Sequence, residues 1–300
     1  MVINEQTIKD IEKTFNAIWT NAFLTSRENE FAGIVTAYTS NGPSNNYAFL
    51  HNLDSWREWV GGRDFDDLTV GKYEVFNKTW EKSVTVLRES IEDDQMGIYT
   101  PLVAMMAAGY GDLVVERILN VLTGNPLTFD GDSLFSIGRT GGVFGSNTIS
   151  NRTSAVFSET SFETAMTTMM SYKYANDRST KTRPNLLIVG PDYEKTAYDV
   201  VGNALVSTTV SSVQNFNANR GVNYVVSTEL TGDNADLWFL ADTNRPVGAV
   251  ILQTRRAPSA AMKAGAEYLE RHNTIDYMAS ARMETAGGLP EGIYGGGITG

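Results

Sequence analysis

Three neighbouring acids, Glu92, Asp93 and Asp94, stand in the stretch ESIEDDQMGIYTPLV, just ahead of a Gly, a Tyr and a Pro. Carboxylates that converge can hold a metal or exchange protons, but both chemistries need partners from elsewhere in the chain. Negative charge is also favourable beside a helix N-terminus, where it complements the macrodipole within the first turn. Nothing downstream supplies an obvious converging ligand, so the acids read as the approach to a helix or as a solvated turn.

A second candidate is LLIVGPDYEKT, Leu186 to Thr196, in which a buried strand runs into Gly190 and then Lys195-Thr196. A phosphate-binding loop needs a second Gly just before its Lys, so that backbone amides can wrap the phosphates. Glu194 stands at that position and Pro191 removes an amide, so a strand–turn–helix connection is the better reading. GYGDLV lacks the third glycine and the preceding strand of a dinucleotide fingerprint. His51 and His272 are the only histidines, and no pattern pairs either with a serine nucleophile. DFDDL and FDGDS space their acids by two, yet neither continues as a calcium loop with Gly at six and Glu at twelve. The residues indicate no catalytic, cofactor-binding or metal-binding residue. Asn77 and Asn151 begin sequons with no secretory route to use them.

The elements that would position any site come next. Ile8, Ile11, Phe15, Ile18, Trp19 and Ala22 recur at three- and four-residue steps, which predicts an amphipathic helix. Thr39 to Tyr47 is turn-rich, and Trp56 and Trp59 follow three residues apart. Lys72 to Arg88 has no Gly or Pro and is rich in strand formers, but both alternating faces mix charge with large apolar groups. Fully extended, those seventeen residues would span about 55 Å, well beyond an ordinary strand. Such a ribbon, straight or folded into a hairpin, would need another chain to cover its Phe and Trp.

From Thr100 and Pro101, a cap and first-turn pair, a helical stripe runs through Leu102, Met105, Met106, Leu113, Ile118, Val121 and Leu122 to Gly124. Gly109 and Gly111 inside it imply a bend or a close backbone. Thr160 and Glu163 read as a capping box before another helix at Phe162 to Met170. Beyond Pro184 strands and short helices alternate: NLLIV, NYVVST, LWFLA and VGAVILQT read as strands. Helical spacing returns at Ala261 to Tyr268, NTIDYMASARMET alternates like a last strand, and the Gly-rich tail reads as weakly ordered.

A formal net charge of −11 argues against a protein that wraps nucleic acid, and the absence of cysteine excludes disulfides and thiolate chemistry. The charged N-terminus lacks a signal-peptide core, and the longest apolar run, LVAMMAAGY, is about half a membrane span. The chain reads as soluble and intracellular when made.

SNNYAFL, REWVGGR, FNKTWEKSVTVLRESIEDDQMGIYTPL and ILQTRRAP, in this order, resemble the Mu-like bacteriophage major head proteins, the T-protein family. The match is densest from Ser44 to Leu102 and returns at Gln253 to Pro258, whereas residues 125–236 agree only in pattern. The resemblance implies an α+β, HK97-type capsid fold. On that template residues 1–43 form an N-terminal arm and 44–90 the extended E-loop hairpin. Residues 91–183 begin the peripheral domain with its long spine helix, 184–252 form the axial domain, and 253–300 return to the peripheral domain and tail. The opening acids then lead into the spine helix.

The implied function is that of a major head protein, self-assembling into the hexamers and pentamers of an icosahedral shell around double-stranded DNA. Scaffold, portal and decoration proteins would be its partners, with the DNA enclosed without sequence-specific binding and no membrane involved. It would be assembled in the bacterial host cytoplasm and reside in the virion. An encapsulin-type shell around protein cargo is the alternative of the same fold, and a soluble hydrolase or nucleotide-binding enzyme the alternative of another class. Trp59, Trp80, Arg255 and Arg256 are the expected intersubunit contacts, the arginines facing acids such as Asp64, Asp66 or Asp67 of an adjacent chain. Packing of each Trp within its own loop is the opposing expectation. Lys72, Lys78 and Lys82 would be available for a crosslink, but no motif names a partner.

Overall fold

The computed structural model describes residues 5–24, 31–47, 73–93, 96–140, 144–207 and 212–299. In chain order the elements are α1 (Glu5–Leu24), β1 (Val35–Thr39), β2 (Ser44–Asn46), β3 (Glu74–Phe76), β4 (Lys78–Leu87), α2 (Arg88–Glu92), α3 (Met96–Gly124) and α4 (Glu159–Met170). They continue with β5 (Leu186–Val189), α5 (Glu194–Ala197), β6 (Leu205–Ser207), β7 (Ser212–Gln214), β8 (Asn223–Val226), β9 (Trp238–Ala241), β10 (Val250–Lys263), α6 (Ala266–His272), β11 (Thr274–Gly287) and β12 (Ile293–Gly296).

Two four-stranded sheets organise these elements. The first has the order β1-β10-β11-β4 and the second β12-β9-β5-β8, while β2-β3 and β6-β7 are separate two-stranded pairs. Long antiparallel β10 and β11 form the centre of the first sheet, with register shifts between Thr254 and Arg256 and between Arg256 and Ser259. The second of these spans Pro258, which cannot donate to the ladder. The strand therefore passes through Arg255 and Arg256 and reaches Lys263, and the helix expected from Ala261 begins instead at Ala266.

Helix α3 carries the core of the first sheet. Its buried face is Val103, Met106, Ala107, Tyr110, Val114, Ile118, Leu119, Val121 and Leu122, at helical spacing. The predicted stripe is rotated by about one residue, because the helix is apolar nearly all round. Leu102 and Met105, expected inward, stay 41% and 69% exposed. The helix also starts at Met96 rather than at Pro101, which leaves Pro101 inside it. Gly109 causes no break, and a methyl group there would meet open space. Helix α1 lays Ile11, Phe15 and Trp19 in one cluster with Val103, Met106 and Tyr277, and Phe15 meets Tyr277 edge-on at 5.4 Å. Each such burial contributes about 1.5–3 kcal/mol.

The second sheet has an apolar centre, with Leu187, Ile188 and Val189 opposite Leu240, Phe239 and Trp238 in register. One face packs under α4, where Phe162, Ala165, Met166 and Met169 are buried. The cap of α4 is Ser158 with Ser161, two residues earlier than the expected Thr160 and Glu163 pair. Glu163 is used elsewhere, accepting a hydrogen bond from Asn217 Nδ2 at 3.0 Å.

The tail corrects the sequence reading most. Residues 283–296 are continuously buried, and Ile293–Gly296 pair with Ala241–Trp238 as a strand of the second sheet. On its other side Gly295 N donates to Asn151 O and accepts at its carbonyl from Thr153 N, both at 2.9 Å. Glycine is required here because the backbone lies against side chains. A Cβ on Gly296 would fall 2.0 Å from Trp238 Cε2, and Gly297 has φ +75 beside the Asp236 carbonyl. Asn151 Nδ2 reaches Leu134, Pro290 and Ile293 carbonyls at 2.8, 3.1 and 3.2 Å, so a sequon asparagine is a core anchor. Buried Glu291 pairs with Arg245 at 2.8 Å; burial pushes its carboxyl up and the guanidinium pulls it partly back. Arg139, also buried, is held by Asp130, Thr128 and the Ser133 carbonyl.

Two glycines therefore have opposite expectations. Gly296→Ala forces a methyl into the Trp238 ring and is expected to lower the unfolding free energy by about 1–3 kcal/mol. Gly109→Ala fills open space on a helix and is expected to raise it by up to about 1 kcal/mol. Chemical denaturation of both variants checks the pair; equal effects would contradict the buried-tail geometry.

Candidate functional site

The segment read as a ribbon is divided by Asn77, which changes what the protein can present. Before it, β3 pairs antiparallel with β2, Ser44 opposite Phe76 and Asn46 opposite Glu74. After it, β4 pairs along its length with β11, from Lys78–Met283 to Leu87–Thr274. The run read as one seventeen-residue ribbon is thus two separate strands, and both contribute to the core of their own chain: Val75 and Val86 are buried. Phe76 and Leu87 remain 61% and 51% exposed.

Asn77 holds the base of the β2-β3 hairpin. Its Nδ2 donates to Ser40 Oγ and Gly42 O at 3.0 Å and to Pro43 O at 3.2 Å. Its Oδ1 accepts from Gln253 Nε2 at 2.8 Å. Gln253 is fully buried, donates also to Val75 O at 3.1 Å, and accepts from Tyr47 OH at 2.8 Å. Burial raises the Tyr47 hydroxyl above its ordinary value, a hydrogen bond with Asn45 pulls it partly back, and the neighbouring Tyr38 adds to the rise. A buried network of this kind is stable only with every member present. Sequence reasoning missed it: Tyr47, Asn77 and Gln253 lie in three separate blocks, and no local pattern announces that they meet.

A separate open groove of about 360 Å³ lies between α3 and the β4 side of the first sheet. Trp80, Met105, Gly109 and Leu113 contribute its apolar lining, and Glu81, Asp112, Glu116 and Glu229 its acids. Trp80 is half-buried, donates its Nε1 to Met283 O at 3.3 Å, and carries the Arg117 guanidinium 5.3 Å above its ring. Arg117 and Lys78 both bind Glu284, at 3.0 and 2.7 Å. The indole therefore has contacts within its own chain while still facing the groove.

Arg255 and Arg256 are exposed on β10, and Arg256 Nη2 donates to Ser280 Oγ at 2.9 Å across the sheet. Trp59, His51, Lys72, Asp64, Asp66 and Asp67 lie outside the described residues. So do the side chains of Glu92 and Asp94, whereas Asp93 is exposed and its amide donates to Glu89 O at 2.9 Å. The acids stand directly ahead of Met96, where the helix starts.

The chemical candidates separate in space. Lys195 is exposed and paired with Asp199 at 2.9 Å, which raises its pKa. A Cβ on Gly190 would fall 2.3 Å from Leu230 O, so that turn is filled by protein rather than shaped around phosphate. His272 stacks on Tyr268, ring centroids 4.3 Å apart. Among the described residues no group of three or more His, Asp or Glu is placed to hold a metal ion, and no helix is long and apolar enough to cross a membrane.

Comparison with known proteins fits this geometry. Residues 8–156 match the family model of the Mu-like prophage major head subunit gpT. The Mu-like prophage FluMu major head subunit of Haemophilus influenzae is 31% identical over 114 residues, which is 37% of this chain and 37% of that protein. The major capsid protein of Escherichia phage Mu is 33% identical over 113 residues, 37% of this chain and 36% of the relative. The matched segment thus spans little more than a third of either relative. Among solved structures, the procapsid of bacteriophage JBD30 superposes with a TM-score of 0.59 at 20% identity, covering 98% of this chain and 75% of that one. Residues 8–156 are thus similar to the Mu-like major head subunit family, and the fold of the chain is the α+β, HK97-type fold of phage capsid proteins.

Proposed function

We propose that this chain is the major capsid subunit of a tailed phage or prophage, a structural protein without catalytic activity. It assembles into hexamers and pentamers of an icosahedral shell that encloses double-stranded DNA. The observation that carries the proposal is the anchored hairpin. Its base is fixed by Tyr47, Asn77 and Gln253, while its stem keeps Phe76 exposed and leads into residues 48–72. A subunit that commits a fully buried glutamine to holding a hairpin stem gains from a hairpin of fixed direction, as a neighbour-contacting loop requires.

Residues 1–43 serve as the arm and 44–90 as the E-loop region; 91–183 and the return at 253–300 form the peripheral domain, and 184–252 the axial domain. Trp59, Trp80, Arg255 and Arg256 lie at or near subunit contacts. For Trp80 this is added to its own-chain packing; for the arginines it accounts for two exposed cations at an irregular stretch of β10. Scaffold and portal proteins act during assembly in the host cytoplasm, and the mature protein belongs to the virion.

Purified full-length chain is expected to sediment as capsomers or megadalton particles; a stable monomer of 32.9 kDa across a wide concentration range would overturn the shell reading. Two variant classes should divide. Gln253→Leu strands several buried polar groups and is expected to cost about 1–3 kcal/mol each in stability, with assembly lost alongside. Arg255→Ala and Arg256→Ala change stability by less than about 0.5 kcal/mol, and their assembly defect should vary with salt. Unfolding titrations paired with particle yield read both; arginine variants that assemble normally at every salt concentration remove them from the interface.

A further inference from the structure

One short segment departs from the acidity of the chain. Residues 171–183 carry four cations, Lys173, Arg178, Lys181 and Arg183, against one acid, Asp177, in a protein of net charge −11. The segment turns back on itself, Tyr174 N donating to Arg178 O and Lys173 bridging Ser179. From there to Pro184 its side chains alternate. Thr180, Thr182 and Pro184 are buried, while Lys181 and Arg183 are exposed.

The inward side is fixed. Thr180 and Thr182 share a hydrogen bond at 2.9 Å, and Arg245 Nη1 donates to Thr182 Oγ1 at 2.8 Å. Arg245 also reaches Tyr174 OH at 3.2 Å and the buried Glu291 at 2.8 Å. The acids nearby are occupied by other donors: Asp242 accepts from the amides of Arg183 and Asn244, and Asp177 from Asn147 Nδ2. A cavity of about 310 Å³ opens beside the strip, with Lys181, Arg183, Arg245 and Tyr174 in its wall together with one acid, Asp242.

Lys181 adds an independent signal. Its φ is +55, a left-handed conformation that favours Gly or Asn over a long side chain. Lysine there sacrifices backbone comfort to place a cation outward, and strain of this kind clusters at functional positions.

We propose that this strip binds the phosphate backbone of a nucleic-acid duplex, without base recognition. The proposal deepens the shell reading, on which it rests for the identity of the duplex. Net charge does not forbid it. At 0.1 M salt the screening length is about 10 Å, so a phosphate on the strip is governed by the cations beside it rather than by distant acids. Binding is weak and strongly dependent on salt, since each neutralised phosphate releases about 0.9 counterion.

The test is fluorescence anisotropy of a labelled 20-base-pair duplex of arbitrary sequence with full-length protein between 50 and 200 mM NaCl. The double variant Lys181→Gln with Arg183→Gln is expected to bind about tenfold or more weakly at low salt, with a log–log salt slope shallower by about 2. Lys195→Gln, away from the strip, should behave as the parent. Lys181→Gly, which relieves the left-handed conformation, should melt no lower than the parent and still bind less tightly. Unchanged affinity and slope in the double variant overturn the proposal. So does loss of particle formation in that variant, restored by no added duplex, if the parent binds no duplex but is disassembled by polyglutamate; the strip would then face an acidic neighbour. Sedimentation of the same samples separates the two readings: particles without duplex binding retract the strip alone, and duplex binding by a permanent monomer retracts the shell.

Discussion

The close approach of the tail backbone to Trp238 and Asp236 is the constraint on which the two-sheet arrangement depends. β11 belongs to the first sheet and β12 to the second, and only residues 288–292 separate them. A chain this short can pass from one core to the other only where side chains do not block it, and Gly288, Gly295, Gly296 and Gly297 supply that room. Gly288 N also donates to Ala249 O at 2.7 Å, at the start of β10, so the passage is hydrogen-bonded to the first sheet before it joins the second. Once threaded, β12 lies between β9 and the segment Asn151–Ala155, and the loop after α3 is drawn into the core.

Polar residues then fix what packing alone leaves free. Apolar burial is non-directional, so it can hold a hairpin against a sheet without choosing its angle. Asn77 and Gln253 make that choice at the hairpin base, while Arg245 and Glu291 tie the tail to the segment ahead of β5. Gln253 and Glu291 are buried, Asn77 and Arg245 half-buried, and the partners of each come from distant parts of the sequence. The cost of leaving any of them unpaired is what makes one arrangement win. On the proposed shell reading, the remaining exposed apolar groups, Phe76 and Met105 among them, are the ones that copies of the subunit would cover.

The legibility of this design in the sequence follows the range of the forces. The helical periods of α1 and α4 and the apolar runs of β5 and β9 come from local spacing, and each appears where that spacing puts it. Helix α3 was visible as a helix, but its inward face was not, because Met105 and Met106 are equally apolar and only packing against the sheet chooses between them. The Gly-rich tail read as disorder because glycine has the same appearance in a flexible end and in a crowded one; the Trp238 ring that distinguishes them is about sixty residues away. The hub of Tyr47, Asn77 and Gln253 was invisible for the same reason. Trp80 is expected from the sequence at a subunit contact, and its own-chain contacts with Met283 and Arg117 depend on pairing that no short pattern encodes.

Amide hydrogen exchange of the full-length chain tests the threaded tail most directly. Protection of the Ile293, Tyr294, Gly295 and Gly296 amides should match that of Leu187, Ile188 and Leu240, since all belong to one sheet and open together. Exchange of those four amides at the rate of an unstructured terminus, with β5 and β9 still protected, would contradict the account.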